Sequence, residues 1–168
     1  AKSNKSDKYW SFPTGAKQFY RHMFNEGDED SHRGKGYSMV GFDEIDQFTP
    51  KMVQMLMTCL RSEAQMDSFL VGTLNPRHDS WCLPLVEYYL DKDGFPDPDK
   101  CGEVRWYVVK EDEFLFGPTE EWFKENHPDA VYVTMPDGNQ IYTRPKRFTY
   151  AFFNIFDNPI GLANNTAY

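Results

Sequence analysis

Cysteine is scarce. Cys59, Cys82 and Cys101 are an odd number and form no CxxC pair. At this length a disulfide staple is not needed, and three reduced thiols in an intracellular protein are the expectation. Histidine is as sparse, with His22, His32, His78 and His127, and only His78 and Cys82 fall at an i, i+4 spacing. A structural zinc needs four ligands. No local pattern supplies four, so no zinc site is expected. Long apolar runs are missing too, none approaching the ~18 residues that span a bilayer. Ala1 to Lys8 are polar, without an apolar h-region, so no signal peptide is expected there. No internal repeat or low-complexity tract occurs. Cationic charge is in deficit, 18 Lys and Arg against 26 Asp and Glu, a net charge of −8. That balance disfavours a protein that coats nucleic acid with its whole surface, while leaving room for one local basic face.

What is present describes a folding chain. Hydrophobic residues make up 40% and aromatic residues 17% of the 168 positions, which argues against disorder. The length suits one domain with a small subdomain and buries a sizeable core. Tyr9 to Phe12 and Lys17 to Met23 flank Pro13-Thr14-Gly15 and read as two strands around a tight turn. Asn25 to Gly36, with Glu26, Asp28, Glu29 and Asp30, reads as a solvated loop. Tyr37 to Phe42 reads as a strand buried on both faces, as in a parallel sheet. Thr49-Pro50 opens a helix: Thr caps it and Pro is tolerated at its first position. Met52, Val53, Leu56, Met57 and Leu60 recur on one face of that helix, as core rather than as a cofactor box. Asp67 to Leu74 reads as a second buried strand, ending at Asn75-Pro76.

Strand, helix and strand within about 40 residues have the size of a βαβ unit. The crossover is expected to be right-handed and the strands parallel. Their C-terminal ends then share one edge, where open α/β sheets bind ligands. Beyond it, Trp81 to Leu90 reads as a helix with an interruption at Pro84, and Asp91 to Gly102 as a linker. Glu103 to Val109 and Glu113 to Phe116 read as a β-hairpin. Glu120 to Asn126 reads as a helix, Val131 to Thr134 as a brief strand, Pro136-Asp137-Gly138 as a turn, and Phe148 to Phe156 as a last strand. The expected organisation is an α/β half, residues 1–90, and a smaller β-rich half, residues 91–168.

Met39-Val40-Gly41-Phe42 ends in Asp43-Glu44. In a nucleotide hydrolase an Asp at that place is associated with Mg²⁺, and the next Glu orients and polarises the attacking water. Many buried strands also end in acids at a turn, so the pair alone is a weak signal. Gly72-Thr73-Leu74-Asn75 ends the adjacent strand, where a polar side chain can sense a γ-phosphate or the lytic water. An ordinary strand exit reads the same way.

In this order the stretches resemble the large subunit of a tailed-bacteriophage terminase. Trp10 to Lys17 resembles that family's FP-small-Gly-Ala strand pair. Glu29-Asp30 and Gly34 to Tyr37 resemble its acidic loop and the approach to Walker B, and Val40 to Glu44 resembles Walker B. Val71 to Pro76 resembles the coupling motif, followed by a Trp-containing helix. Val104 to Gly117 resembles the hairpin of the lid region, and Arg147 to Pro159 the strand that closes the ATPase domain.

The resemblance implies an α/β fold: part of a P-loop NTPase parallel sheet of the ASCE class, followed by a β-rich lid. It implies ATP and Mg²⁺ as cofactors, Asp43 as the Mg²⁺-associated acid, Glu44 as catalytic base, and Thr73 and Asn75 in the coupling motif. It also implies double-stranded DNA, a portal protein and a small terminase subunit as partners, homo-oligomers, no membrane, and the bacterial host cytoplasm. No G-x-x-x-x-G-K-[ST] occurs, and Gly34-Lys35-Gly36 does not fit it. The family's phosphate loop is thus expected upstream of Ala1 and its nuclease domain beyond Tyr168. A parallel sheet lacking that first strand is expected to self-associate through its apolar edge. The missing loop keeps open a non-catalytic module that binds a partner protein or DNA. A metal-dependent nuclease using Asp43, Glu44 and Asp46 is a third reading. Arg144, Lys146 and Arg147 form a small basic cluster, more simply a solvated strand entry than a DNA contact. Arg77 is more simply a surface charge than a phosphate ligand.

Overall fold

The structure is a computed structural model, and it describes residues 1–62, 67–75, 77–111, 113–154 and 157. The chain forms a mixed α/β fold of small sheets in two compact units, Ala1–Trp81 and Cys82–Tyr168.

In the first unit, β1 (Lys2–Asn4), β2 (Tyr9–Ser11) and β3 (Lys17–Phe19) form an antiparallel sheet in that order. The turn between β2 and β3 closes with Gly15 N–H donating to Phe12 O at 3.0 Å. Gly15 has φ 86°, a left-handed conformation that favours glycine. The expected strand to Met23 stops at Phe19, and β1 was not expected.

The expected βαβ unit is present. Thr49 caps α1 (Pro50–Thr58) by accepting from Met52 N–H. Met52, Val53 and Leu56 on one face of α1 are buried. β4 (Met39–Phe42) and β5 (Phe69–Gly72) pair in parallel, with Phe42 opposite Gly72. Among the described residues these two strands are the whole parallel sheet. Neither is buried on both faces: Met39, Phe69 and Val71 remain exposed. An apolar run marks a strand for burial, but the described residues leave that face exposed.

The acidic segment also departs from expectation. Asp28–His32 winds into a 3-10 turn with Glu29 and His32 buried. Local polar contacts make this tolerable. Glu29 Oε2 accepts from Gly27 N–H at 2.7 Å, and Glu29 Oε1 lies 3.8 Å from Lys51 Nζ on α1. His32 Nδ1 is 2.9 Å from Tyr37 Oη, and the Cys59 thiol donates to His32 O at 3.3 Å. Burial, then the charges of Lys35 and Arg21, holds the His32 imidazole below its usual pKa. The unfolded chain therefore binds the proton more readily, and stability falls as pH drops through the unfolded value of about 6.5. We expect a lower melting temperature at pH 5.5 than at pH 7.5. His32→Gln should shrink that difference, measured by circular dichroism.

In the second unit, the expected helix at 81–90 is α2 (Leu83–Val86), with Pro84 in its first turn, tightening into a 3-10 turn at Glu87–Tyr89. In the expected linker, Asp91 Oδ1 accepts from the N–H groups of Asp93 and Phe95, both at 2.9 Å, and Asp97 caps a turn at Pro98–Lys100. The hairpin is β6 (Val104–Lys110) with β7 (Glu113–Gly117). α3 (Glu120–Asn126) is capped by Thr119 Oγ1, which accepts from Trp122 N–H at 3.1 Å. α4 (Pro128–Val131) leads into the hairpin of β8 (Tyr132–Thr134) and β9 (Gln140–Tyr142). β10 (Lys146–Thr149) pairs antiparallel with β6. It is shorter than expected, and Phe156 and Asn158-Pro159 lie outside the described residues. Val108, Phe123 and Val131 form the core, with Trp106, Leu115 and Trp122 packed on it. Gly117 permits the approach of α3: a Cβ there would lie 2.4 Å from Trp122 Cε3.

Glu120 fastens α3 to the C-terminal strands. Its oxygens accept from Tyr142 Oη at 2.6 Å and Arg144 Nε at 2.8 Å. The Tyr142 hydrogen bond, then the Arg144 hydrogen bond, brings its carboxyl down to a pKa of about 2. Such a group stabilises the fold above the unfolded pKa, and the contribution is lost as pH falls from about 4.5 toward 2. Glu120→Gln is expected to flatten that acid limb in a pH series of urea melts.

Candidate functional site at the parallel strand edge

The parallel register brings the C-terminal ends of β4 and β5 together, and the ladder continues past both. Thr73 N–H donates to Phe42 O at 3.0 Å, and Ile45 N–H donates to Thr73 O at 2.8 Å. Asp43, Glu44 and Thr73 are thereby held at one edge, as the βαβ reading expects. Thr73 joins the acids through its side chain. Its hydroxyl donates to Asp43 Oδ1 at 2.8 Å and accepts from Glu44 N–H at 3.0 Å.

Glu44 sits in the left-handed region, φ 54° and ψ 61°. For a residue with a Cβ that conformation costs about 1–2 kcal/mol. It reverses the chain after β4 and sends Ile45 inward, where Ile45 is buried. Gly72 makes room for it: a Cβ on Gly72 would lie 2.9 Å from Ile45 Cδ1. Gln47 Nε2 donates to Glu44 Oε2. Sequence reasoning named neither Gln47 nor the Gly72–Ile45 packing. A glycine directly before Thr73, opposite the strand that carries the acids, was the available signal.

Asp43 and Glu44 are exposed, and their carboxylates can meet a ligand at the edge. Asn75 lies exposed beyond β5, and the structure does not join it to the acids; Pro76 lies outside the described residues. Asp46 turns away. Its carboxylate lies 3.6 Å from Arg77 Nε, which is also 3.7 Å from Asp79 Oδ1. Arg77 is thus a paired surface charge. Among the described residues no three His, Cys, Asp or Glu side chains form a metal-ligand group, so the nuclease reading of Asp43, Glu44 and Asp46 loses its third acid. Arg144 is engaged by Glu120 and lies over Trp106, 5.5 Å from the ring centroid.

The donor set suits a hard divalent cation. Asp43 offers carboxylate oxygen at a rigid strand end, and Mg²⁺ is commonly held by one or two carboxylates, with water and phosphate completing its shell. Thr73→Val removes both hydroxyl contacts at nearly constant volume. Two lost hydrogen bonds correspond to about 1–3 kcal/mol, and a urea melt of the variant is expected to show that loss. An unchanged midpoint would mean that the hydroxyl does not tie the two strand ends.

Among the described residues no helix is long and apolar enough to cross a membrane. No curated protein and no solved structure matches the chain. A family model does, described as terminase large subunit, T4likevirus-type, N-terminal, and it matches residues 2–149. That span contains β1 through β10, the acid pair and Thr73, so the chain belongs to the T4-like terminase large subunit family, whose members act in phage DNA packaging.

Proposed function

We propose that this chain is part of an ATP-hydrolysing DNA-packaging motor and that the edge formed by Asp43, Glu44 and Thr73 belongs to its hydrolytic site. The observation that carries the reading is the Thr73 hydroxyl, hydrogen-bonded at once to the Asp43 carboxylate and the Glu44 backbone. In this reading β4, α1 and β5 are a portion of an ASCE-class P-loop sheet, and residues 91–168 serve as the lid.

Each residue then has a role set by its chemistry. Asp43 would hold the Mg²⁺ of Mg·ATP as its associated acid, and that ion would neutralise phosphate charge when bound. Glu44 accepts a proton from the attacking water. Gln47 and the left-handed backbone fix the direction in which the Glu44 carboxylate points. A positioned base of this kind contributes about 10²–10⁴-fold. Thr73 couples the acids to β5, and Asn75 extends the same segment away from the acids. The proposed partners are double-stranded DNA, a portal protein, a small terminase subunit and further copies of the large subunit, in the cytoplasm of a bacterial host. Mg²⁺-dependent ATP hydrolysis by the intact parent, lost in Glu44→Gln while nucleotide binding is kept, tests the reading. Turnover at an unchanged rate would sink the assignment of Glu44.

A further inference from the structure

The negative balance of the chain hides a local reversal. Residues 1–24 contain Lys2, Lys5, Lys8, Lys17 and Arg21 against Asp7 alone, in a chain of net charge −8. This is the segment that folds into the β1–β2–β3 sheet.

Strand alternation and the register place Lys2, Asn4, Tyr9, Ser11, Lys17 and Phe19 on one face of that sheet. Two aromatic rings on that face hold cations, Tyr9 on the central strand and Phe19 on the edge strand β3. Lys17 Nζ lies 5.1 Å from the Tyr9 centroid, and Arg21 Cζ lies 5.3 Å from the Phe19 centroid. The rings support each other, their centroids 5.5 Å apart. Arg21 is fixed further by donating Nη1–H to Lys8 O at 3.1 Å and Tyr20 O at 2.8 Å.

Many cations elsewhere in the chain are neutralised. Arg33, Lys51, Arg77, Lys110, Lys124 and Arg144 each pair with a carboxylate. Among the described residues Lys2, Lys17 and Arg21 have no such partner. Their charge is presented outward, on a face where Phe19 is 45% exposed.

We propose that this sheet face is a contact surface for the phosphate backbone of duplex DNA. Three cations without carboxylate partners on one face supply the sequence-independent term of DNA affinity. The rings favour duplex over single strand. Single-strand sites stack bases on open ring faces, whereas Lys17 and Arg21 lie over Tyr9 and Phe19 and make the rings supports for charge. The choice of duplex DNA as the polyanion rests on the packaging reading; the cation-bearing face does not.

The test is fluorescence anisotropy of a labelled 30-base-pair duplex with the 168-residue chain. Three phosphate contacts predict a log–log salt slope of about −2.7, or about 40-fold weaker binding at 200 mM than at 50 mM NaCl. Lys17→Ala combined with Arg21→Ala should reduce the slope to about −0.9, and Lys2→Ala alone should lower its magnitude by about 0.9. Lys35→Ala, away from the sheet, should leave affinity and slope unchanged. Circular dichroism melts establish that each variant is folded, and Lys2→Ala carries the test if the double variant is not. The proposal is overturned if the wild-type chain binds no duplex at 50 mM NaCl, or if the sheet variants keep the wild-type slope. It is also overturned if an equal-length single strand, or polyglutamate as an acidic-protein mimic, binds more tightly than the duplex. None of these outcomes depends on Glu44, so failure here and failure of the hydrolytic reading are separable.

Discussion

Glu44→Gln is expected to reduce steady-state ATP turnover by the intact parent protein by about 10²–10⁴-fold. The substitution is nearly isosteric and leaves the left-handed backbone at this position, φ 54°, as it is. The backbone N–H of Glu44 donates to the Thr73 hydroxyl, and that bond does not depend on the carboxylate. What is lost is an oxygen able to take a proton from water. Mg·ATP affinity should stay within about threefold, because the proposed metal contact belongs to Asp43. Asp43→Asn is the informative partner: it should raise the Mg²⁺ concentration needed for half-maximal hydrolysis. Binding by equilibrium titration and turnover by phosphate release, on the same preparations, separate the two roles. A Glu44→Gln protein that has lost nucleotide affinity as well would place the residue in binding rather than in proton transfer.

Phe123→Ala should have the largest effect on stability. Phe123 is fully buried among Val108, Val131, Leu115 and Trp122. Truncating a buried Phe to Ala costs about 3–5 kcal/mol, through lost transfer energy and the cavity left behind. Whole domains are stable by about 5–15 kcal/mol, so the loss would bring the unit near unfolding at room temperature. Urea denaturation followed by tryptophan fluorescence measures it, since Trp106 and Trp122 pack on this core. Val133→Ala is the matched control. Val133 is 52% exposed on β8, and surface substitutions of this kind usually fall within about 0.5 kcal/mol of zero.

Local rules read the elements they govern. Thr49-Pro50 announced α1 because cap and first-turn chemistry are local, and the spacing of Met52, Val53 and Leu56 fixed its buried face. The β6–β7 hairpin and α3 were legible for the same reason. The juxtaposition of Asp43 with Thr73 came from the handedness and parallel pairing of one βαβ unit, and the structure has that register. Properties that depend on distant neighbours were not legible. Glu29 and His32 read as solvated because charge blocks usually are. They are buried because Lys51, Tyr37 and Cys59 supply partners. Apolar residues of β4 and β5 read as doubly covered, and Met39, Phe69 and Val71 are exposed. β1 was missed because Lys2-Ser3-Asn4 carries no apolar residue to mark a face, and β9 because only its pairing with β8 across a turn defines it. The cations of the β1–β2–β3 face were hidden by averaging over a chain of opposite sign.

The most direct measurement of the central claim is a single-turnover reaction. The intact parent carrying Glu44→Gln is mixed in excess with radiolabelled Mg·ATP and quenched in acid over time. If Glu44 activates water at the edge shared with Asp43 and Thr73, the bound nucleotide is recovered as intact ATP long after the wild-type protein has converted it. Recovery as ADP and phosphate at the wild-type rate would contradict the account, because the chemical step would then proceed without that carboxylate.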